Sequence, residues 1–147
     1  MRSVLLDSGP LAALFNHRDG HHRRALEFFQ SLGGATHCHT TWEVISEVSY
    51  FLDFSADAQG DFLEWLHQGH TAGLTSIAAF GTADLPAVAR MMRKYSDRPM
   101  DLADASLVWL ASRIGVTDIA TIDRADFAVY RTIGRKAFRN VFSDPEV

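Results

Sequence analysis

The stretch "SVLLDSGPLAALFN" (3–16) runs from a short apolar segment, through an aspartate, into a helical pattern. "SVLLD" is too short for a helix and apolar up to its last residue, as a strand buried on both faces reads. Ser8 and Pro10 then supply an N-cap and an early helical proline for "PLAALFN". The same alternation continues along the chain. "HHRRALEFFQSL" is a helix closed by Gly33 and Gly34, and "ATHCHT" (35–40) is a second strand. Helices follow over "TWEVISEVSYFLDF" and around 57–68, then a short strand "LTSI" (74–77). "TADLPAVARMMRKY" and "MDLADASLVWLASRIG" are further helices; "VTDIATID" (116–123) and "AFRNVF" (137–142) are the last strands. Strands separated by helices predict a parallel sheet covered on both faces, a three-layer α/β domain.

A chain of 147 residues fits one domain over 1–147, large enough to bury a real core. With 47% hydrophobic and 22% charged residues, the composition is that of a soluble globular protein. No apolar run approaches the ~20 residues needed to span a bilayer, which argues against a membrane role. Val4–Leu6 is too short for the hydrophobic region of a signal peptide. Cys38 is alone, so an internal disulfide is excluded and a cytoplasmic home is expected. The net charge of −4 argues against a nucleic-acid binder on bulk charge, although it averages regions of opposite sign.

The informative anomalies are carboxylates in apolar company. In "MDLADASLVWLASRIG" Asp104 projects onto the arc of Leu107, Val108 and Ala111, with Asp101 about 60° away on its edge. An acid at a helix entrance is a good cap, which suits Asp101; a cap needs one acid, and Asp104 is the second. Glu47 likewise falls by helical phase among Val44, Tyr50, Phe51 and Phe54. Glu43 has a structural reading, because Thr40 and Glu43 stand at capping-box spacing. Asp7 and Asp123 each end an apolar strand, and strand carboxyl ends border the ligand crevice of an open parallel sheet. Either these acids are scattered over helix and strand ends, or they converge. At ~4 Å a like-charge pair costs on the order of 4 kcal/mol at an effective dielectric of 20. Converging acids therefore require protonation or a divalent cation, and an all-oxygen site suits Mg²⁺ or Mn²⁺.

"LLDSGPLAALF", "TTWEVISEVSYFL", "YSDRPMDLADASLVWLA" and "IATIDRADFAVYR" occur in this order over residues 3–142. Together they resemble the successive motifs of the PIN-domain family, in particular the VapC-like toxin ribonucleases of type II toxin–antitoxin modules. The resemblance implies a PIN-like three-layer fold and a metal-dependent endoribonuclease using Mg²⁺ or Mn²⁺. By position it makes Asp7, Glu47, Asp104 and Asp123 the catalytic and metal-holding acids, with Asp101 and Asp126 auxiliary. Metal held there would activate a water for in-line attack on a phosphodiester. One departure is Glu43, where relatives often carry an apolar residue or proline. Ser8 and Thr121 stand beside the acids, as capping and packing residues or as hydroxyls that orient a carboxylate. A cognate antitoxin and a homodimer are also implied, in VapC-like proteins commonly through helices of the half holding Phe28, Phe29, Phe62, Trp65 and Leu66.

For an RNA path, "FAVYRTIGRKAFR" (127–139) carries Arg131, Arg135, Lys136 and Arg139 with no acid, interleaved with Phe127, Tyr130 and Phe138. Such runs hold phosphates and stack bases, or are an ordinary solvated face with core aromatics. If the segment is helical, Arg131 and Arg135 share a face as RNA-binding residues, although Gly134 weighs against it. Arg90, Arg93, Lys94 and Arg98 form a second basic group. His37/His39 and His67/His70 have ligand-like spacing without a cysteine pair or HExxH arrangement, so a zinc site is disfavoured. No Walker A loop, Gly-x-Gly-x-x-Gly or Gly-x-Ser-x-Gly is present. Two rivals stand: a metal-dependent phosphatase, which needs an aspartate where Gly9 stands, and a catalytically silent PIN module that binds RNA or a protein partner.

Overall fold

The computed structural model describes residues 1–142. Five strands, β1 (Arg2–Leu6), β2 (Thr36–Thr41), β3 (Thr75–Ala78), β4 (Asp118–Ala120) and β5 (Arg139–Asn140), form one sheet in the order β3-β2-β1-β4-β5. Every pairing is parallel. Val4, Leu5 and Leu6 are all fully buried, because consecutive side chains point to opposite faces and both faces are covered. The covering helices are α1 (Ser8–Leu14), α2 (His22–Leu32), α3 (Trp42–Phe51), α4 (Ala56–Thr71), α5 (Leu85–Lys94), α6 (Leu102–Ile114) and α7 (Arg124–Val129). The predicted three-layer α/β architecture is the observed one.

The strand order places the site. From β1 the chain moves outward to β2 and β3, then returns to the other side of β1 for β4 and β5. The crevice at such a switch point opens beyond the strands' carboxyl ends, here between the residues that follow β1 and those that follow β4.

Local chemistry moved several boundaries. Asp7, not Ser8, caps α1, its side chain accepting from the Ser8 amide. The expected strands over 116–123 and 137–142 shrink to three and two residues. The six-residue α7 was not anticipated, being too short to show a helical period in sequence. A 3-10 turn over Thr82–Asp84 precedes α5.

The expected Thr40–Glu43 capping box is replaced by a different device. Thr40 is fully buried and donates to the Leu6 carbonyl at 3.0 Å, while Thr41 caps α3. The Val44 amide donates to Thr41 Oγ1 at 3.2 Å, Thr41 Oγ1 lies 2.7 Å from Ser106 Oγ, and Ser106 donates to the Ala103 carbonyl at 2.6 Å. With one proton per hydroxyl the order is fixed: Thr41 must donate to Ser106. This buried relay joins the entrances of α3 and α6, the helices that carry Glu47 and Asp104. Thr41→Val should therefore destabilise the fold by about 2 kcal/mol, from a lost cap and a lost buried hydrogen bond. Thr41→Ser should be nearly neutral. Urea denaturation of both variants, with far-UV circular dichroism as readout, checks the ranking.

Candidate active site

Asp7 leaves β1 and is almost completely buried, 5% exposed. Two neighbours hold it: the Ser8 amide donates to Oδ1 at 2.8 Å and the Thr121 hydroxyl to Oδ2 at 2.7 Å. Thr121 follows β4, so this bond ties the two diverging strand ends together. Its oxygen also accepts from the Asp123 amide at 3.0 Å, which fixes the turn into α7. The Ser8 side chain turns the other way and donates to Glu47 Oε1 on α3 at 2.5 Å. Ser8 and Thr121 thus each donate a hydrogen bond to a carboxylate, Glu47 and Asp7 respectively.

Asp101 is the N-cap of α6, its Oδ1 accepting from the Asp104 amide at 2.8 Å. Asp104 sits one turn in and is half-buried, its Oδ2 accepting from the Tyr130 hydroxyl at 3.3 Å. Asp123 caps α7 through the Asp126 amide, and Asp126 pairs with the Arg98 guanidinium at 2.8 Å. One cavity of about 470 Å³ is lined by Asp7, Ser8, Glu47, Asp101, Asp104, Asp123 and Asp126. The acids expected from separate motifs therefore share a single pocket at the switch point.

The crowding shows in their protonation. Burial pushes Asp7 up to about 6 against its two hydrogen bonds, with Asp101 and Asp123 adding repulsion. Asp104 is pushed up to about 8, first by burial and then by the charges of Asp101 and Asp7. Glu47 and Asp123 are raised as well, chiefly by desolvation. Asp126 is held below the usual carboxylate range by its bonds with Asp123 and Arg98.

Among the described residues no three carboxylate, imidazole or thiol groups close around a common point, although the acids line one cavity. Mutual repulsion opposes such closure. The donor set is all oxygen and carries uncompensated negative charge, which fits a hard divalent cation held by Asp7, Glu47, Asp104 and Asp123.

Other expectations resolve differently. Arg131 and Arg135 do not share a helix: α7 ends at Val129, and both lie in a turn where Arg131 bridges to Ala137. They meet Arg90 and Lys94 in a second cleft. Phe127 and Tyr130 are core residues in edge-to-face contact, not surface platforms for bases. Arg139 is committed to Asp118 through two hydrogen bonds of 2.9 and 2.8 Å. Phe28, Phe62 and Leu66 are buried, with Phe29 and Trp65 packed against them; the larger exposed apolar residues are Trp42, Tyr50, Phe51 and Phe54 on and after α3. Glu43 does not complete a capping box, and its Oε1 is buried without a hydrogen bond. His37 and His39 lie beside Ser76 and Ser3 at 2.7 and 3.3 Å. At Gly9, where the phosphatase pattern needs an aspartate, a Cβ would stand 3.0 Å from the Ile122 side chain, which would have to shift by a few tenths of an ångström. Tyr130 and Arg98 were missed as partners of the site, since nothing local links them to Asp104 and Asp126.

A doubly flanked parallel sheet with an acid pocket at its switch point defines a PIN-type α/β domain. The comparisons agree with that class. No protein-family model matches the chain. Ribonuclease VapC26 of Mycobacterium tuberculosis (strain ATCC 25618 / H37Rv) is 29% identical over 137 residues, covering 92% of this chain and 97% of that protein. The fold is similar to that of M. tuberculosis VapC20, a sarcin-ricin loop cleaving toxin, with a TM-score of 0.71, 14% identity, and coverage of 83% and 91% of the two chains. VapBC2 from Rickettsia felis, solved with a promoter DNA fragment, matches at a TM-score of 0.61 and 11% identity, over 94% of this chain and 98% of that one. The chain is thus similar in sequence to a VapC ribonuclease, and its fold is the PIN-like one of the VapC structures.

The raised acids set a pH dependence. Asp7 and Asp104 bind protons more tightly folded than unfolded, so stability is fully present below about pH 4 for these groups and is lost as pH rises towards about 8. In EDTA the melting temperature should fall by several degrees between about pH 5 and pH 8.5. Asp104→Asn should flatten that decline. A melting series over this range checks both, and an unchanged slope in the variant would remove Asp104 as the source.

Proposed function

We propose that this protein is a metal-dependent endoribonuclease and the toxin of a toxin–antitoxin pair, acting as one PIN-like domain in the cytoplasm. The observation that carries the reading is the convergence of Asp7, Glu47, Asp104 and Asp123 on one cavity in a VapC-like fold. These four residues would hold Mg²⁺ or Mn²⁺. When bound, the ion supplies a lowered pKa for water and positive charge against the scissile phosphate. The chain's own residues supply position. Thr121 and the Ser8 amide hold Asp7, the Ser8 hydroxyl holds Glu47, and Tyr130 holds Asp104. Arg98 restrains Asp126 at the rim. Hydrolysis needs no protein nucleophile: a water oxygen bonds to phosphorus and gives up a proton as the bond to the 3′ oxygen breaks, and that oxygen takes up a proton in turn, so that none is gained or lost overall.

RNA contact by Arg131 and Arg135 belongs to the same reading, as does a cognate antitoxin. The exposed Trp42, Tyr50, Phe51 and Phe54 supply apolar surface for a protein partner, the antitoxin or a second copy of this chain.

Cleavage of single-stranded RNA should require Mg²⁺ or Mn²⁺ and stop in EDTA. Asp7→Asn, Asp104→Asn and Asp123→Asn should each lower the rate roughly 100-fold or more while leaving the fold intact, as loss of a group acting on transition-state charge does. Asp101→Asn should lose less, because asparagine still caps α6. Added Mn²⁺ at a hundredfold excess over its dissociation constant should stabilise the wild type by about 2.7 kcal/mol. Full activity in Asp104→Asn, or none in the wild type with either metal, would leave the silent RNA- or protein-binding module as the better reading.

A further inference from the structure

Two basic groups that are far apart in sequence meet in one place. Arg90 and Lys94 from α5 and Arg131 and Arg135 from the turn after α7 line a cleft of about 320 Å³ that contains no acidic residue. Among the described residues none of these four cations makes an ion pair, whereas Arg2, Arg98 and Arg139 do. The Arg131 guanidinium donates to the neutral carbonyls of Ala128, Val129 and Tyr130, so its charge is not cancelled. In a chain of net charge −4, four unpaired cations around one cleft are a concentrated exception.

The turn that presents the two arginines is built for it. Thr132 accepts from the Arg135 amide on its carbonyl at 2.8 Å and from the Lys136 amide on its hydroxyl at 3.0 Å. Arg135 is left at φ 66°, a left-handed conformation that favours glycine, directly after Gly134. An arginine is kept where glycine would be less strained.

A chain of contacts through two buried tyrosines links the cleft's wall to an acid of the pocket. Tyr95 lines the cleft and accepts from the Arg131 amide at 2.9 Å; its ring meets Tyr130 edge to face at 5.0 Å, and Tyr130 donates to Asp104.

We propose that the Arg90–Lys94–Arg131–Arg135 cleft is a second phosphate site, which grips the backbone of single-stranded RNA beside, not at, the scissile bond. The proposal rests on the ribonuclease reading for its ligand. The cleft tracks backbone charge and reads no base, so it sets affinity and minimum substrate length.

The test uses the full chain and the double variant R90Q/R135Q, whose replaced side chains are exposed. Binding of a single-stranded RNA oligonucleotide is followed by fluorescence anisotropy in EDTA at several salt concentrations. Affinity should fall about tenfold at about 0.1 M salt, and the log–log salt slope should become shallower by about 1.4, two contacts at roughly 0.7 each. R90K/R135K should restore most of both. With Mn²⁺, KM for a long RNA should rise. Wild-type affinity and slope in R90Q/R135Q would overturn the proposal. So would unchanged RNA binding together with lost binding of oligo-glutamate, which would assign the cleft to an acidic protein segment. Absence of cleavage in the wild type would defeat the ribonuclease reading alone, since the salt slope still decides the cleft.

Discussion

Asp7 is a carboxylate almost wholly removed from water at the point where the central strand ends, and the site is arranged around it. Burying such a group is costly unless hydrogen bonds satisfy it. The Ser8 amide and the Thr121 hydroxyl do so, and in doing so they pin the carboxyl ends of β1 and β4 to each other. Those are the strands between which the sheet changes direction. The arrangement that stabilises Asp7 therefore also fixes the crevice, and Ser8 extends it to Glu47 on α3.

Hydrogen bonding does not remove the repulsion. Asp7 and Asp104 still sit well above ordinary carboxylates, because each is desolvated and each feels Asp101. The site is a store of negative potential set in a firm frame: capped helices, a hydroxyl relay between α3 and α6, and edge-to-face tyrosines behind Asp104. Such a frame suits a cation better than it suits protons, since an ion satisfies several carboxylates at once. Positive charge is kept apart, in the cleft beyond Tyr95. On the proposed function, this separation lets an acidic protein act on a polyanion. Net charge describes the average, while recognition depends on local fields.

Comparison of sequence with structure divides along the range of the forces involved. The strand "SVLLD", the helix-capping role available to Asp101, and Asp104 on a buried apolar arc were legible, because burial periodicity and capping are local; the arc assigned to Glu47 was misread, since Tyr50, Phe51 and Phe54 are exposed and only Val44 is buried. The pairing of motifs into one acid pocket was legible only through the family resemblance; no local rule brings residue 7 to residue 104. The Thr41 cap was misassigned to Thr40 because adjacent threonines offer the same chemistry. Strand register decided between them, sending Thr40 to the Leu6 carbonyl and leaving Thr41 for the helix.

The sequence by itself determined the α/β class, the strand-end position of Asp7 and the chemical character of the site, since these follow from hydrophobic alternation and from residue type. Only the tertiary structure decided which neighbours each charged group acquired. It joined Arg98 to Asp126, committed Arg139 to Asp118, and left Arg131 and Arg135 facing Arg90 and Lys94. It also turned Tyr130 from a stacking candidate in a basic run into a buried support for Asp104. The physical reason is that a Coulombic or hydrogen-bonding partner is chosen by distance in space, which chain separation does not encode until the sheet and its helices have closed.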